Sequence, residues 1–306
     1  MDGPQEFGMT NLFHRQLGAS LGIPSRYYDK MAEHCPELLS RNVNTWLDRE
    51  PSRRMVRALD GVARAYLSDR YRRIDNWEIA ETVLPIIGEM DGARVDSCEI
   101  TERRMYLKIV NPRLEAEVSK GDVVQAGIVI SNSEVGLGSV SVQPLVFRLV
   151  CLNGMIVNDM GQRKYHVGRA SDEDWELFSD ETIRADDQAF MLKLADITRT
   201  AVDEAMFAVV VDRLREAAGQ RIEGFIPAVV ELTAKQYGLA KEEEAGVLQH
   251  LIEGGDLSLY GLSSAVTRAA HDVEDYDRST ALECVGWSIV TMSPDIWRHV
   301  NEGVLT

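Results

Sequence analysis

The sequence predicts an α+β protein: a curved, mainly antiparallel sheet with a packed helix, flanked by N-terminal helices and a largely helical C-terminal half with one long helix. Three observations carry that prediction. Apolar residues alternate with period two through much of the stretch after Arg53, an Asp60-Gly61 dipeptide sits between two such runs, and beyond Asp187 the apolar spacing becomes that of helices.

The first 50 residues read as helices. Gly22-Ile23-Pro24 and Cys35-Pro36 interrupt the pattern, and a proline fits the first turn of a helix but not its interior. Pro24 and Pro36 therefore each open a new helix, the second ending near Trp46-Leu47. Met55–Leu59 and Val62–Tyr66 then flank Asp60-Gly61, residues that tolerate the positive φ of a two-residue hairpin. A simple register sets Leu59 opposite Val62, Ala58 opposite Ala63 and Arg57 opposite Arg64. Val56, Ala58, Ala63, Ala65 and Leu67 then form a core face, with Arg57, Leu59, Val62, Arg64 and Tyr66 on the other. Two arginines directly across a hairpin repel by about a few tenths of a kcal/mol, so a carboxylate or a ligand is expected between them.

Residues 76–90 read as a helix with Trp77, Ile79, Ala80, Val83, Leu84 and Ile87 mostly on one side. Strands return over Val95–Val110 around a polar turn at Thr101–Arg104. Asp122–Ser131 and Ser139–Cys151 are nearly continuous in hydrophobicity, which suits strands covered on both faces. Gly136-Leu137-Gly138 and Asn153-Gly154 punctuate them as turns. Ser171–Asp187, with eight acidic residues and one arginine, reads as an acidic linker or helix start. From Asp187 to Gly219 a broad apolar stripe predicts one helix of about 33 residues, roughly 50 Å long. Helices follow near 225–237, 241–253, 261–273 and 277–291. Three regions result: an N-terminal helical segment (1–50), a β-rich core (51–170) and an acidic helical region (171–306).

Charge follows the same division. The net charge is -16, yet residues 51–169 hold 17 Lys and Arg against 15 Asp and Glu, whereas residues 171–306 hold 11 basic and 27 acidic residues. Such segregation points to one face that meets an anion. The four cysteines are far apart and form neither a CxxC pair nor a zinc-spaced cluster, so free, mostly buried thiols in a reducing compartment are expected. No basic segment followed by an apolar run opens the sequence, and no stretch approaches the ~18 apolar residues of a membrane span. A soluble cytoplasmic protein without membrane contact is the expectation.

The sequence lacks GxxxxGK[ST], GxSxG and HExxH, and Gly136-Leu137-Gly138 has no third glycine and no following helix. No cofactor, metal or catalytic set is assigned on these grounds. His166, in a basic polar context and paired with Glu134, would supply general acid/base chemistry, but an exposed histidine contacting an anion is the simpler reading. A helix-turn-helix over 225–273 would offer only Arg268 and His271 as cations on its reading helix, too few for a major-groove reader, so ordinary packing is expected there. The stronger constellation is basic and aromatic: Arg57, Arg64, Tyr66, Arg70, Tyr71, Arg72, Arg73, Arg103, Arg104, Lys108, Lys164 and His166. Guanidinium groups grip phosphate and rings stack on bases of any sequence, which suits single-stranded nucleic acid. The bland alternative is a mixed-charge face in which these arginines pair with Asp69, Asp75, Glu99 or Glu102.

Several segments carry a family resemblance: Leu21–Pro24, Asn42–Leu47, Arg64–Arg72, Asn132–Gly136, Cys151–Gly154, His166–Gly168 and Tyr260–Thr267. Together they resemble the phage- and plasmid-associated domain-of-unknown-function 932 family, over about residues 12–290. The resemblance implies a mobile-element protein and supplies no activity. A hairpin and further antiparallel strands on a helix, with a basic and aromatic face, is also similar to single-strand annealing proteins of the Red-beta and Rad types. That likeness implies a homo-oligomer, a ring or filament, that holds single-stranded DNA without ATP.

The function expected is therefore non-enzymatic binding of single-stranded DNA or RNA in recombination or annealing. Two alternatives stand beside it. One is an acidic interaction protein, a DNA mimic or inhibitor of a host defence factor, that binds a basic protein through residues 171–306. The other is an enzyme of unassigned chemistry at His166 and Glu134.

Overall fold

The computed structural model describes residues 6–69, 71, 73–138, 140–158, 180–200 and 204–302. Its helices divide where the sequence is punctuated. After a short strand β1 (Gly8–Met9), α1 (Asn11–Ser20) opens on Thr10, whose hydroxyl accepts from the Phe13 N–H. Gly22 then takes a positive φ of 66°. Pro24 caps α2 (Ser25–His34), and Pro36 begins α3 (Pro36–Arg49). Phe13, Leu17, Tyr28, Met31, Leu39 and Val43 from these helices enclose Ala63 of the hairpin that follows.

That hairpin, β2 (Arg54–Leu59) and β3 (Val62–Ser68), turns at Asp60-Gly61 with φ of 50° and 76°. β1 pairs with β3 in parallel, giving a three-stranded sheet ordered β1-β3-β2. The predicted register holds at Leu59↔Val62 and Ala58↔Ala63 and then breaks. Arg57 pairs with Ala65, which leaves Arg64 as the extra residue of a bulge. Arg57 and Arg64 are thus not directly opposed. The bulge also reassigns the face of Val56, expected in the core but exposed; Ala58 keeps its predicted partner and is exposed near the turn, while Ala63, Ala65 and Leu67 are buried.

The second sheet is a curled five-stranded antiparallel half-barrel, ordered β4-β5-β6-β7-β8. Its strands are β4 (Arg94–Ile100), β5 (Met105–Ser119), β6 (Asp122–Asn132), β7 (Ser141–Arg148) and β8 (Asn153–Ile156). Asn153-Gly154 opens β8 and is not the turn expected there; the chain reverses one residue earlier, at Leu152 with φ of 51°. At Gly127 a Cβ would run into the Ile109 carbonyl of β5, so the bare α-carbon lets the strands approach as the sheet curls.

Both faces of this sheet are covered. On one, Leu107, Ile109, Ile128, Ile130 and Val142 pack against Ile79, Val83 and Ile87 of α4 (Asn76–Glu89) and Phe190, Leu194 and Ile197 of α5 (Asp180–Thr200). Trp77 and Leu84, expected on the packed side of α4, are exposed. On the other face Val110, Val129, Leu145, Phe147 and Ile156 meet Cys284 of α10 (Tyr276–Val290). The long helix expected over Asp187–Gly219 runs across residues 201–203, which lie outside the described set; on either side of them α5 and α6 (Glu204–Gly219) contribute to different cores. With α7 (Ile226–Tyr237), α8 (Lys241–Gly254), α9 (Leu259–Ala269), α10 and α11 (Pro294–Glu302), α6 builds a core that also takes in Val118, Val124, Val146 and Met155 of the sheet. Packing therefore crosses the boundary drawn at residue 170. Every residue of α9 except Arg268 is buried, so it is a core helix and cannot enter a groove. No helix of the described residues is long and apolar enough to cross a membrane.

Lys108, placed by alternation on the basic face, is corrected by the structure: it is buried on β5 and its Nζ lies 2.7 Å from the Glu283 carboxylate of α10. Tyr106 on the same face donates to Asp277 Oδ1 at 2.7 Å, and the Tyr276 ring lies 4.9 Å from Lys108 Nζ. Burial alone would lower the Lys108 pKa, but the charge and hydrogen bond of Glu283 outweigh it and hold the ammonium charged. A buried pair is costly to break from one side and cheap to replace whole. Lys108→Met is expected to lower stability in urea unfolding by about 3–5 kcal/mol. The double replacement Lys108→Met/Glu283→Leu should recover most of that loss.

Candidate functional site

Several charged side chains of the basic island converge where the small sheet meets the half-barrel. The segment Asn132-Ser133-Glu134-Val135-Gly136, leaving the end of β6, is the hub. Val135 is fully buried among Ala65, Leu67, Met55, Leu12 and Tyr71. Its carbonyl accepts from Gln16 Nε2 at 2.8 Å, while Gln16 Oε1 accepts from the Tyr66 N–H at 2.8 Å, so one glutamine of α1 ties the loop to β3. The Tyr71 hydroxyl donates to the Ser133 carbonyl at 2.7 Å. Ser133 Oγ donates to the Arg103 carbonyl at 2.8 Å and accepts from the Leu137 N–H at 3.0 Å. Asn132 Nδ2 reaches the Ile74 carbonyl and Asn76 Oδ1 at the start of α4.

Glu134 is the anion between the two arginines. Its Oε2 lies 3.6 Å from Arg57 Nη2 and 3.4 Å from Arg64 Nη1, and its Oε1 accepts from the Asn76 N–H at 2.7 Å. A free amide in the first turn of α4 thus completes the carboxylate's coordination. Arg57 Nη2 also donates to Asp75 Oδ1 at 2.6 Å, and Arg73 donates to Asp75 Oδ2 at 3.2 and 3.1 Å through Nε and Nη2. Asp75 is the N-cap of α4, and its own N–H donates to Glu78 Oε2 at 2.9 Å. Burial pushes its carboxyl up, but the hydrogen bonds from Arg57 and Arg73 outweigh this and hold it below the ordinary carboxylate range. Burial likewise raises the Tyr71 hydroxyl, against the nearby Arg57 and Arg104. Arg104 donates to the Leu137 carbonyl. Three guanidinium groups, of Arg57, Arg64 and Arg73, therefore share two carboxylates, those of Asp75 and Glu134.

The candidates named from the sequence separate accordingly. Arg57, Arg64, Arg73, Arg103, Arg104 and Tyr71 gather at this junction. Tyr66 is half-buried between the edge of Phe13 and the guanidinium of Arg54. Lys108 is elsewhere, inside the sheet-helix interface. Arg70, Arg72, Lys164 and His166 lie outside the described residues. The proposed His166–Glu134 partnership therefore has only its Glu134 half on view, and that carboxylate is committed to three donors. The expectation of mostly buried thiols is corrected: all four cysteines are free, but Cys35 and Cys98 are exposed and Cys151 and Cys284 half-buried. Among the described residues no group of three or more His, Cys, Asp or Glu side chains is arranged to hold a metal.

Two residues were missed by the sequence reading. Glu134 was considered only as a catalytic partner, although Arg57 and Arg64 called for a carboxylate. Trp77 was assigned to the core by its spacing with Ile79 and Val83, yet it projects into solvent in the first turn of α4, two residues beyond Asp75.

Glu134→Ala leaves Arg57 and Arg64 half-buried and facing like charge, and is expected to cost about 2–3 kcal/mol in equilibrium unfolding, with amide exchange accelerating first in β2 and β3. Asp75 sets a pH dependence. Because its folded pKa is depressed, it contributes stability above its unfolded pKa that is lost as pH falls through the folded value. Thermal melts between about pH 5 and pH 2 should show a shallower acid loss in Asp75→Asn than in the unsubstituted chain.

No curated protein and no solved structure matches the chain. The family model that does match spans residues 64–217, from the Arg64 bulge through the half-barrel to α6 and just over half of the chain; the chain belongs to the DUF932 family, a domain of unknown function.

Proposed function

We propose that the chain binds single-stranded nucleic acid, in the manner of a recombination or strand-annealing protein of a mobile element, along the rim of the junction around Arg73 and Trp77. The observation that carries this reading is an exposed ring and an exposed cation at one helix start: Trp77 is 72% exposed and the Arg73 side chain 67% exposed, two residues to either side of Asp75. An indole stacks on a base of any sequence, and a guanidinium follows the phosphates.

Beside them, the ion-paired cluster of Arg57, Arg64 and Arg73 with Asp75 and Glu134 has one more guanidinium than carboxylate. Arg54, at the end of the hairpin that leads into this loop, and Arg103, in the turn that Ser133 holds, add exposed cations. Arg57 and Arg64 act here by fixing the junction, with Glu134 as their counterion, and direct contact falls to Arg73, Arg103 and Trp77.

Fluorescence anisotropy of labelled single-stranded and duplex oligonucleotides over a salt series, beside light scattering for mass, tests the reading. Salt-sensitive preference for single strands by a multimer is expected. Trp77→Ala should cost about 1–3 kcal/mol of affinity with little change in salt slope, and Arg73→Ala should reduce the slope by about 0.7. Absence of binding at low salt would sink the proposal and favour a basic protein partner for the acidic helices.

A further inference from the structure

The segment Asn42–Leu47 of α3, which the junction leaves unused, carries an exposed ring with a cation one turn further on. Trp46 is 43% exposed, and the Arg49 guanidinium lies 5.8 Å from its ring centre. A second such pair follows at once in the chain. Arg54, exposed at the start of β2, has its guanidinium 5.8 Å from the ring centre of Tyr66, and its Nε donates to Ser52 Oγ at 3.2 Å. Leu47 and Tyr66 pack against one hydrophobic cluster, so the last turn of α3 lies beside the Tyr66 face of the hairpin. Val56, opposite Tyr66 in the register, is exposed on that face.

These arginines differ from those of the junction in what holds them. Arg57, Arg64 and Arg73 are held by carboxylates. Arg49 and Arg54 are held by rings, Arg53 is exposed beside them, and none of the three forms an ion pair with a described carboxylate. A ring attracts a guanidinium through its quadrupole and neutralises none of its charge, so the N–H fork stays open to a phosphate. Residues 46–54 hold these three cations and two carboxylates, Asp48 and Glu50. Asp48 is two residues beyond Trp46, about 200° round the helix, and so lies on the other side of α3 from the ring. Tyr66, half-buried between Phe13 and Arg54, acts as a seat for the guanidinium, and Trp46 is left as the ring that a base can reach.

We infer that this patch is a second contact surface for the same single strand, with Trp46 stacking on a base and Arg49, Arg53 and Arg54 on the phosphates beside it. The inference rests on the nucleic-acid reading and extends it from one helix start to a path. Arg54 pairs with Ser68 across the hairpin, and from Ser68 the chain runs on through Tyr71 and Arg73 to Trp77. The strand thus passes round the end of the hairpin remote from its turn, from the face of Tyr66 to the face of Glu134, with an exposed indole on each side.

Anisotropy titrations of the full chain with labelled single strands of about 6 and about 20 nucleotides test it. The longer strand engages both indoles, so Trp46→Ala should weaken its binding about tenfold. The shorter reaches one surface at a time, and either Trp46→Ala or Trp77→Ala should cost it only about twofold. Trp46→Phe keeps a stacking ring and should restore most of the loss. Arg49→Gln/Arg54→Gln, which leaves the packing intact, should reduce the salt slope for the longer strand by about 1.4. Unchanged affinity and slope for the longer strand in the Trp46→Ala and Arg49→Gln/Arg54→Gln variants, with Trp77→Ala still weakening it, would overturn the second surface and leave the rim standing. A loss in Trp46→Ala that phenylalanine does not restore would overturn the stacking role. No binding of either strand at low salt would overturn both the path and the reading beneath it.

Discussion

The Glu134 carboxylate is the constraint on which the junction depends. Arg57 and Arg64 come from different strands, Asn76 opens a helix, and Glu134 follows the longest buried strand, yet all three donors end on one side chain. The bulge makes this convergence feasible. With Arg64 paired simply across from Arg57, their side chains would share the outer face of the hairpin. By inserting Arg64 as an extra residue, the chain turns Arg57 toward the face of Ala65 and Leu67, where the Glu134 loop is docked. Removing the anion would leave two cations side by side at a depth where water screens them poorly.

A second set of charges fastens the other face of the half-barrel. Lys108 and Glu283, with Tyr106 and Asp277, link β5 to α10 over a sequence separation that no local propensity encodes. Both fastenings take their cations from the basic island. Part of its positive charge is thereby consumed in holding the fold, and composition overstates what a ligand would meet. At Asp122 the same applies to Arg148. Among the described residues of the rim, Arg73, paired to Asp75 through two N–H groups, and Arg103 in its turn are exposed.

Much of the fold was legible in the sequence because its punctuation is local. Pro24, Pro36 and Asp60-Gly61 act through φ restrictions on their own residues, and each marks a boundary in the structure. The half-barrel strands were legible because coverage on both faces leaves long apolar runs. The errors share a different cause. A bulge shifts the residues on one side of it to the opposite face without altering composition, so the expectation of an inward Val56 failed. Trp77 fits the apolar stripe of α4 by spacing, but it is exposed while Ile79 and Val83 pack on the sheet. Lys108 alternates correctly with its neighbours; its burial follows from Glu283, 175 residues away.

The site was legible as a set of residue types and not as an arrangement. Sequence alone supplied the argument that Arg57 and Arg64 need an anion, and left open whether protein or ligand provides it. The structure answers with Glu134, and this changes what those arginines can do. A guanidinium held by Glu134 at 3.4–3.6 Å, and in one case by Asp75 as well, presents fewer free N–H groups to a phosphate. It can still contribute field, because three cations share two carboxylates. Attraction without direct contact acts on any polyanion, so discrimination between single strands and duplex must come from groups that touch bases. Among the described residues of the rim, Trp77 is the exposed ring placed for that contact, which is why the functional reading rests on it more than on the arginines that first suggested the site.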